Sequence, residues 1–176
     1  MIRSESGTLI KFDGEKPKYS ILENERKWVI DKSFAKRLEN QWHFQIVDKY
    51  LDNTQIRIRS AIDSETGETI YKFCKKYGTR NPISEPITTT YISKVEYDLL
   101  FSLPGKIIKK NRYRFVENGF EFSIDLFIEP ELDYLIAEAE ESSIDRLNSI
   151  QKPSFAIREV TNELEFTGGK IAAKSV

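Results

Sequence analysis

Apolar and charged positions alternate along most of this chain with a period of two, the spacing of a half-buried strand rather than a helix. The run Ile21-Leu22-Glu23-Asn24-Glu25-Arg26-Lys27-Trp28-Val29 places Glu23, Glu25 and Lys27 on one side of a strand predicted over 20–29. The alternation then recurs. Residues 54–62 set Ile56 and Ile58 against Arg57 and Arg59, and 69–77 set Tyr71 and Phe73 against Lys72, Cys74 and Lys76. Residues 106–115 carry Lys110, Arg112 and Arg114 on one face. Residues 120–127 oppose Phe122, Ile124 and Leu126 to Glu121, Ser123 and Asp125. Aromatic and β-branched content predicts two further strands, 41–51 and 87–92. Residues 133–141 are helix formers by propensity, but Glu138 and Glu140 at spacing two complete the charge pattern and predict a strand.

Turn and cap signals punctuate these runs. Asn118-Gly119 marks a hairpin between two of the strands. Asp31 or Ser33 caps a short helix through Leu38. Ser93 with Glu96 forms a capping box for a helix over 94–103, expected to bury Leu99, Leu100 and Leu103 and to stop at Pro104-Gly105. A short helix is expected near 143–147, followed by a polar tail to residue 176. Residues 1–20 read as an extension with a short strand at 8–12, and 21–176 as one domain.

About eight strands with a few short helices describe an α+β protein dominated by antiparallel sheet. In a sandwich the charged faces would look at water. In a closed eight-stranded antiparallel barrel they look inward and line a tunnel. The charges are sorted by sign. Lys27, Arg57, Arg59, Lys72, Lys76, Lys110, Arg112 and Arg114 are the cationic candidates, and Glu23, Glu25, Asp125, Glu138 and Glu140 the anionic ones. Cations so close together repel unless an anionic ligand lies among them. Arg and Lys suit phosphate oxygens, and carboxylates without His or Cys suit Mg²⁺ or Mn²⁺. Together they suit a metal-bound polyphosphate.

Composition narrows the classes. The net charge is −1, which gives no support for DNA binding. A single histidine, His43, argues against zinc and triad chemistry; His43 and the single cysteine, Cys74, read as packing residues. One cysteine, no secretory h-region and no run of about 18 apolar residues predict a cytoplasmic protein with no membrane partner. Oligomeric state leaves no mark in the pattern.

Glu23-x-Glu25-x-Lys27 resembles the ExExK motif of the triphosphate tunnel metalloenzymes, or CYTH domain family. An ordered set accompanies it: Tyr50-Leu51-Asp52 before Arg57-x-Arg59, a lysine strand ending at Lys76, and Leu103-Pro104-Gly105 before Lys110-x-Arg112-Tyr113. Ile124-Asp125-Leu126-Phe127, Ala137-Glu138-Ala139-Glu140 and Val160-Thr161 follow. The resemblance spans about residues 21–170. It implies an eight-stranded tunnel in which Glu23, Glu25, Asp125, Glu138 and Glu140 hold metal. Lys27, Arg57, Arg59, Lys76, Lys110 and Arg112 hold phosphate, with Lys72 and Arg114 added from the charge pattern. It also implies hydrolysis of a small triphosphate, tripolyphosphate first, with Lys27, Glu25 and Glu140 nearest the chemistry. A nucleotide-using relative (an adenylyl cyclase, thiamine triphosphatase or RNA 5′-triphosphatase) and a non-catalytic polyphosphate or nucleotide binder are the alternatives. The fifth strand, Thr88-Thr89-Thr90-Tyr91, departs from the family in lacking a charged residue, Cys74 stands where threonine is common, and the tail matches only loosely.

Overall fold

The computed structural model describes residues 12–13, 16–78 and 81–174. Of the strand expected at 8–12, all but Phe12 lies outside them. A two-residue ladder joins β1 (Phe12–Asp13) and β2 (Lys16–Pro17). Eight strands then close an antiparallel barrel: β3 (Ile21–Asp31), β4 (His43–Leu51), β5 (Ile56–Asp63), β6 (Thr69–Lys76), β7 (Ser84–Tyr91), β8 (Gly105–Glu117), β9 (Phe120–Glu129) and β10 (Tyr134–Glu140). Around the barrel the order is β10-β9-β8-β4-β5-β6-β7-β3, and β3 pairs back onto β10. The first half of β3 pairs with β7. β7 begins at Ser84, opposite Asn24, and further along β3 the same edge is taken by β11 (Ala156–Glu159).

Closure uses the alternation directly. On most strands the apolar side faces outward and is covered by the connecting segments, whereas β4 turns Phe44, Ile46 and Tyr50 into the bore. Trp28, Phe122, Ile124, Leu135 and Ala137 pack with Phe34 of a 3₁₀ turn (Lys32–Arg37), Leu38 at its C-cap and Leu147 of α2 (Ile144–Asn148). On another flank Ile58, Tyr71 and Phe73 pack under α1 (Lys94–Phe101). The capping box at Ser93 and Glu96 is formed. The helix buries Tyr97, however, leaves Leu99 70% exposed and ends at Phe101, short of Leu103, which is 44% exposed. Tyr97 wins because its ring packs between Tyr71 and Phe101 and its hydroxyl donates to Ser60. At the predicted hairpin, Asn118 and Gly119 both adopt positive φ, as a tight two-residue turn requires.

The tail is not a polar appendage. Val160, Phe166, Ile171 and Ala172, from the stretch leading into and including α3 (Gly168–Ala172), pack with Val29, Ile108, Phe127 and Ile136. Those four partners share strand parity with Lys27, Lys110, Asp125 and Glu138, so they face into the barrel. The C-terminal segment therefore seals one end of the bore with apolar side chains. Tyr50 belongs to this contact. A Cβ built on Gly168 would lie 1.8 Å from the Tyr50 hydroxyl. Gly168→Ala is thus expected to displace the plug or Tyr50 and to destabilise the fold by about 1–3 kcal/mol, the range for overpacking. A thermal melt matching wild type would show that Tyr50 swings aside freely.

Candidate functional site

The charged sides of the strands meet inside the barrel. Cross-strand register places Glu140 opposite Glu25, Glu138 opposite Lys27 and Ser123, Arg112 opposite Asp125, and Arg59 opposite both Asp48 and Lys72. Side chains from all eight strands then join in one continuous chain of alternating charge.

Asp48, on β4, anchors one end of it. Its carboxylate is fully buried and accepts two hydrogen bonds from Arg59, at 2.6 and 2.8 Å. Arg57 Nε lies 3.7 Å away and Lys110 Nζ 3.9 Å. Lys110 donates to Asp125 at 2.5 Å, and Asp125 accepts a forked pair from Arg112 at 2.6 and 2.7 Å. Arg112 also reaches Glu138 at 2.5 Å. Lys27 bridges Glu138 and Glu25, at 3.3 and 3.1 Å. Lys76 completes the chain, lying 3.6 Å from Glu25, 2.9 Å from Glu23 and 3.1 Å from Glu85.

The electrostatics follow from this chain. Burial alone favours a neutral Asp48, but Arg59 and Arg57 outweigh it and hold the carboxyl far below its ordinary range. Burial likewise opposes charge on Lys27; Glu138 and Glu25 overcome it and raise that ammonium well above its usual value. Lys76 behaves in the same way, through Glu25 and Glu23. At Lys110 burial prevails over Asp125, and the pKa is lowered. Glu140 differs from the other acids. Partial desolvation together with the charges of Glu23 and Glu138 raises its pKa. Among the described residues it has no hydrogen-bond or ion-pair partner.

Two expectations are corrected here. The interior cations are not an uncompensated cluster, because carboxylates lie among them, Asp48 and Asp125 each shared by more than one. The fifth barrel strand does carry a charge, since it starts at Ser84 and so includes Glu85, which meets Lys76. Asp48 escaped sequence reasoning altogether. It sits in an otherwise apolar inward row with Phe44, Ile46 and Tyr50, which masked it. The available signal was register: a hairpin pairing 41–51 with 54–62 sets Asp48 opposite Arg59.

Not every predicted site residue reaches the interior chain. Arg114 is 60% exposed at the mouth, 3.6 Å from Glu121, with its guanidinium over the Trp42 ring. Lys72 lies over the ring of Tyr91, itself 71% exposed. His43 packs on Tyr113, and Cys74 is buried, as a packing role requires. Asp125 is 1% exposed and gives both oxygens to Lys110 and Arg112.

As a cation site the bore is open to a specific arrangement. Among the described residues no group of three carboxylates stands ready to hold a metal ion, because Lys27, Lys76 and Arg112 reach between them. The donor chemistry fits a hard cation, however: oxygen ligands only, with Glu25 and Glu140 directly opposed and Glu23 on the same strand face.

No protein-family model matches the sequence, and no curated protein matches it either. Solved structures do. Two structures of the protein NE1496 superpose with TM-scores of 0.56 and 0.52, at 18% and 17% identity. They cover 88% and 85% of this chain and 99% and 93% of theirs. One is described as a hypothetical protein, the other as an inorganic triphosphatase. The chain has the triphosphate tunnel fold. A candidate adenylate cyclase of Bacillus halodurans shares that tunnel fold, with a TM-score of 0.52 and 17% identity over 74% of this chain and 86% of its own. In the present chain the tunnel fold is closed at one end by its own C-terminal segment. No helix among the described residues is long and apolar enough to cross a membrane.

Proposed function

We propose that the bore binds a small triphosphate, inorganic tripolyphosphate in the first instance, and hydrolyses it with the help of Mg²⁺ or Mn²⁺. The observation that carries this reading is the convergence of Arg57, Arg59, Lys110, Arg112, Lys27 and Lys76 with Glu23, Glu25, Glu138 and Glu140 in one bore.

Arg57, Arg59, Lys110 and Arg112 bind the phosphate oxygens. Asp48 and Asp125 hold the forked edges of Arg59 and Arg112, which fixes both guanidinium planes within the bore. Glu23, Glu25 and Glu140 would hold the cation, with Glu138 beside them. When bound, it would neutralise phosphate charge and lower the pKa of an attacking water. Lys27, between Glu25 and Glu138, is placed to stabilise the leaving oxygen as its negative charge grows. Its raised pKa keeps it protonated for that task at neutral pH. Triphosphate binding must loosen internal ion pairs; were Glu25 engaged by a cation, Lys27 would keep Glu138 alone and Lys76 would keep Glu23 and Glu85, so both would be less fully neutralised and better able to meet phosphate. Metal and substrate are therefore expected to bind cooperatively.

The test is phosphate release from tripolyphosphate with each metal, the metal-free protein serving as control. Metal-dependent turnover is expected. Tight calorimetric binding without release would instead favour a non-catalytic polyphosphate binder.

A further inference from the structure

Lys27 stands on β3 where that strand changes partners. On one edge β10 sets Glu138 opposite it. On the other edge the pairing with β7 runs only from Ile21 to Asn24, and Glu25 N donates to the Ile83 carbonyl at 3.2 Å. Further along, β11 lies opposite Trp28, Val29 and Ile30. Lys27 falls at the joint between these two partners. Its carbonyl accepts from Val160 N at 2.8 Å. In a regular antiparallel pair the Lys27 N–H would return a bond to the Val160 carbonyl. That carbonyl is taken instead by Glu163 N, at 3.0 Å, as the chain turns away. The Thr161 hydroxyl supplies the missing acceptor, receiving the Lys27 N–H at 3.0 Å.

The hydroxyl is itself oriented. Its proton goes to Glu159 Oε1 at 2.7 Å, which leaves a lone pair for Lys27. Glu159 accepts a forked pair from Arg26, at 2.9 and 2.6 Å. The remaining Arg26 nitrogen donates to the carbonyls of Leu147 and Ile150, at 3.1 and 2.9 Å. One polar network therefore grips the outside of β3 at Arg26 and Lys27, while the Lys27 ammonium projects into the bore between Glu25 and Glu138.

We infer that Thr161 is a positioning residue for Lys27: its hydroxyl fixes the backbone from which the ammonium is aimed into the bore. This rests on the triphosphate reading, in which Lys27 stabilises the leaving oxygen. An ammonium on a flexible four-carbon stem is aimed only as well as its backbone is held. Misplacing a reacting group by about 1 Å costs up to about 100-fold in rate. The effect falls on rate rather than affinity, because Arg57, Arg59, Lys110 and Arg112 are carried on β5 and β8, neither of which adjoins β3.

The experiment compares Thr161→Val and Thr161→Ser in the full-length chain, by phosphate release from tripolyphosphate with Mg²⁺ or Mn²⁺. Valine keeps the shape and removes the acceptor; serine keeps the hydroxyl. Thr161→Val is expected to lower kcat by about 10–100-fold with KM within about twofold of wild type. Thr161→Ser is expected to retain most of the turnover. Exchange of the Lys27 amide hydrogen is expected to quicken in the valine variant and not in the serine variant. Phe34→Leu, in the outer core away from the joint, controls for stability alone: a lower melting temperature with kcat retained is expected. Undiminished kcat in Thr161→Val would overturn the inference and leave the bore reading standing. Equal losses in the valine and serine variants, or a matching loss in Phe34→Leu, would do the same by reducing Thr161 to a structural role. A wild type that releases no phosphate overturns the bore reading and the positioning role with it. Should Thr161→Val not fold, Glu159→Gln, which frees the hydroxyl to turn, is read in its place: partial loss of kcat at unchanged KM is expected, and full kcat overturns the inference.

Discussion

Glu140→Gln is expected to lower phosphate release by about 100-fold or more, the order seen when one group stabilising transition-state charge is removed. It is also expected to leave the protein as stable as wild type, or slightly more so. The second half of this expectation separates function from folding. Among the described residues Glu140 makes no ion pair; Glu23, Glu138 and Glu25 act on it as like charges, and Arg112 opposes them only in part. Neutralising it removes repulsion from the native state. Burial and the neighbouring like charges both disfavour this carboxylate's charged form in the folded protein. Parallel thermal melts and turnover assays check the pair of outcomes. A marked fall in melting temperature with turnover intact would place Glu140 among structural residues.

Asp48→Asn should be the most damaging single change in the bore. Asp48 has no exposure to solvent and faces Arg59, Arg57 and Lys110. Removing its charge leaves buried cations without their partner, which typically costs about 3–5 kcal/mol. For a chain of this size that corresponds to a fall of roughly 10 °C in melting temperature. The pH dependence has a definite sign. The folded-state pKa lies below the unfolded value, so the contribution is present above about pH 4 and is lost as pH falls towards the folded pKa. The gap between wild type and Asp48→Asn is therefore expected to narrow on acidification. Tripolyphosphate should restore part of the lost stability, because its oxygens can take the place of the missing carboxylate. A variant melting within about 2 °C of wild type would mean that the cations relax into solvent.

These two acids illustrate a division of labour along the charge chain. Asp48 and Asp125 are consumed in orienting arginines and lysines. Glu23, Glu25 and Glu140 lie where a cation could compete for them. Charge balance also explains how the basic side chains of the interior coexist: Lys27, Arg57, Arg59, Lys76, Lys110 and Arg112 each lie beside a carboxylate in the chain, so an incoming triphosphate exchanges partners rather than filling an empty field.

The alternation of side chains by itself determined the strands, their charged faces and the sorting of acids from bases, because a strand's period of two is a local property of the backbone. It reached residues 134–140 against their helix propensity for the same reason. Capping and turn chemistry at Ser93 and at Asn118-Gly119 were equally local. Which face of the sheet lay inside depended on closure between β3 and β10, a pairing more than a hundred residues apart in the chain that no local pattern encodes. Asp48 gained its place only through cross-strand register, and Glu85 through a strand that starts earlier than its propensity suggests. The C-terminal segment became a plug because Val29, Ile108, Phe127 and Ile136 left an apolar floor inside an otherwise charged bore, and only the folded barrel brings those four side chains together.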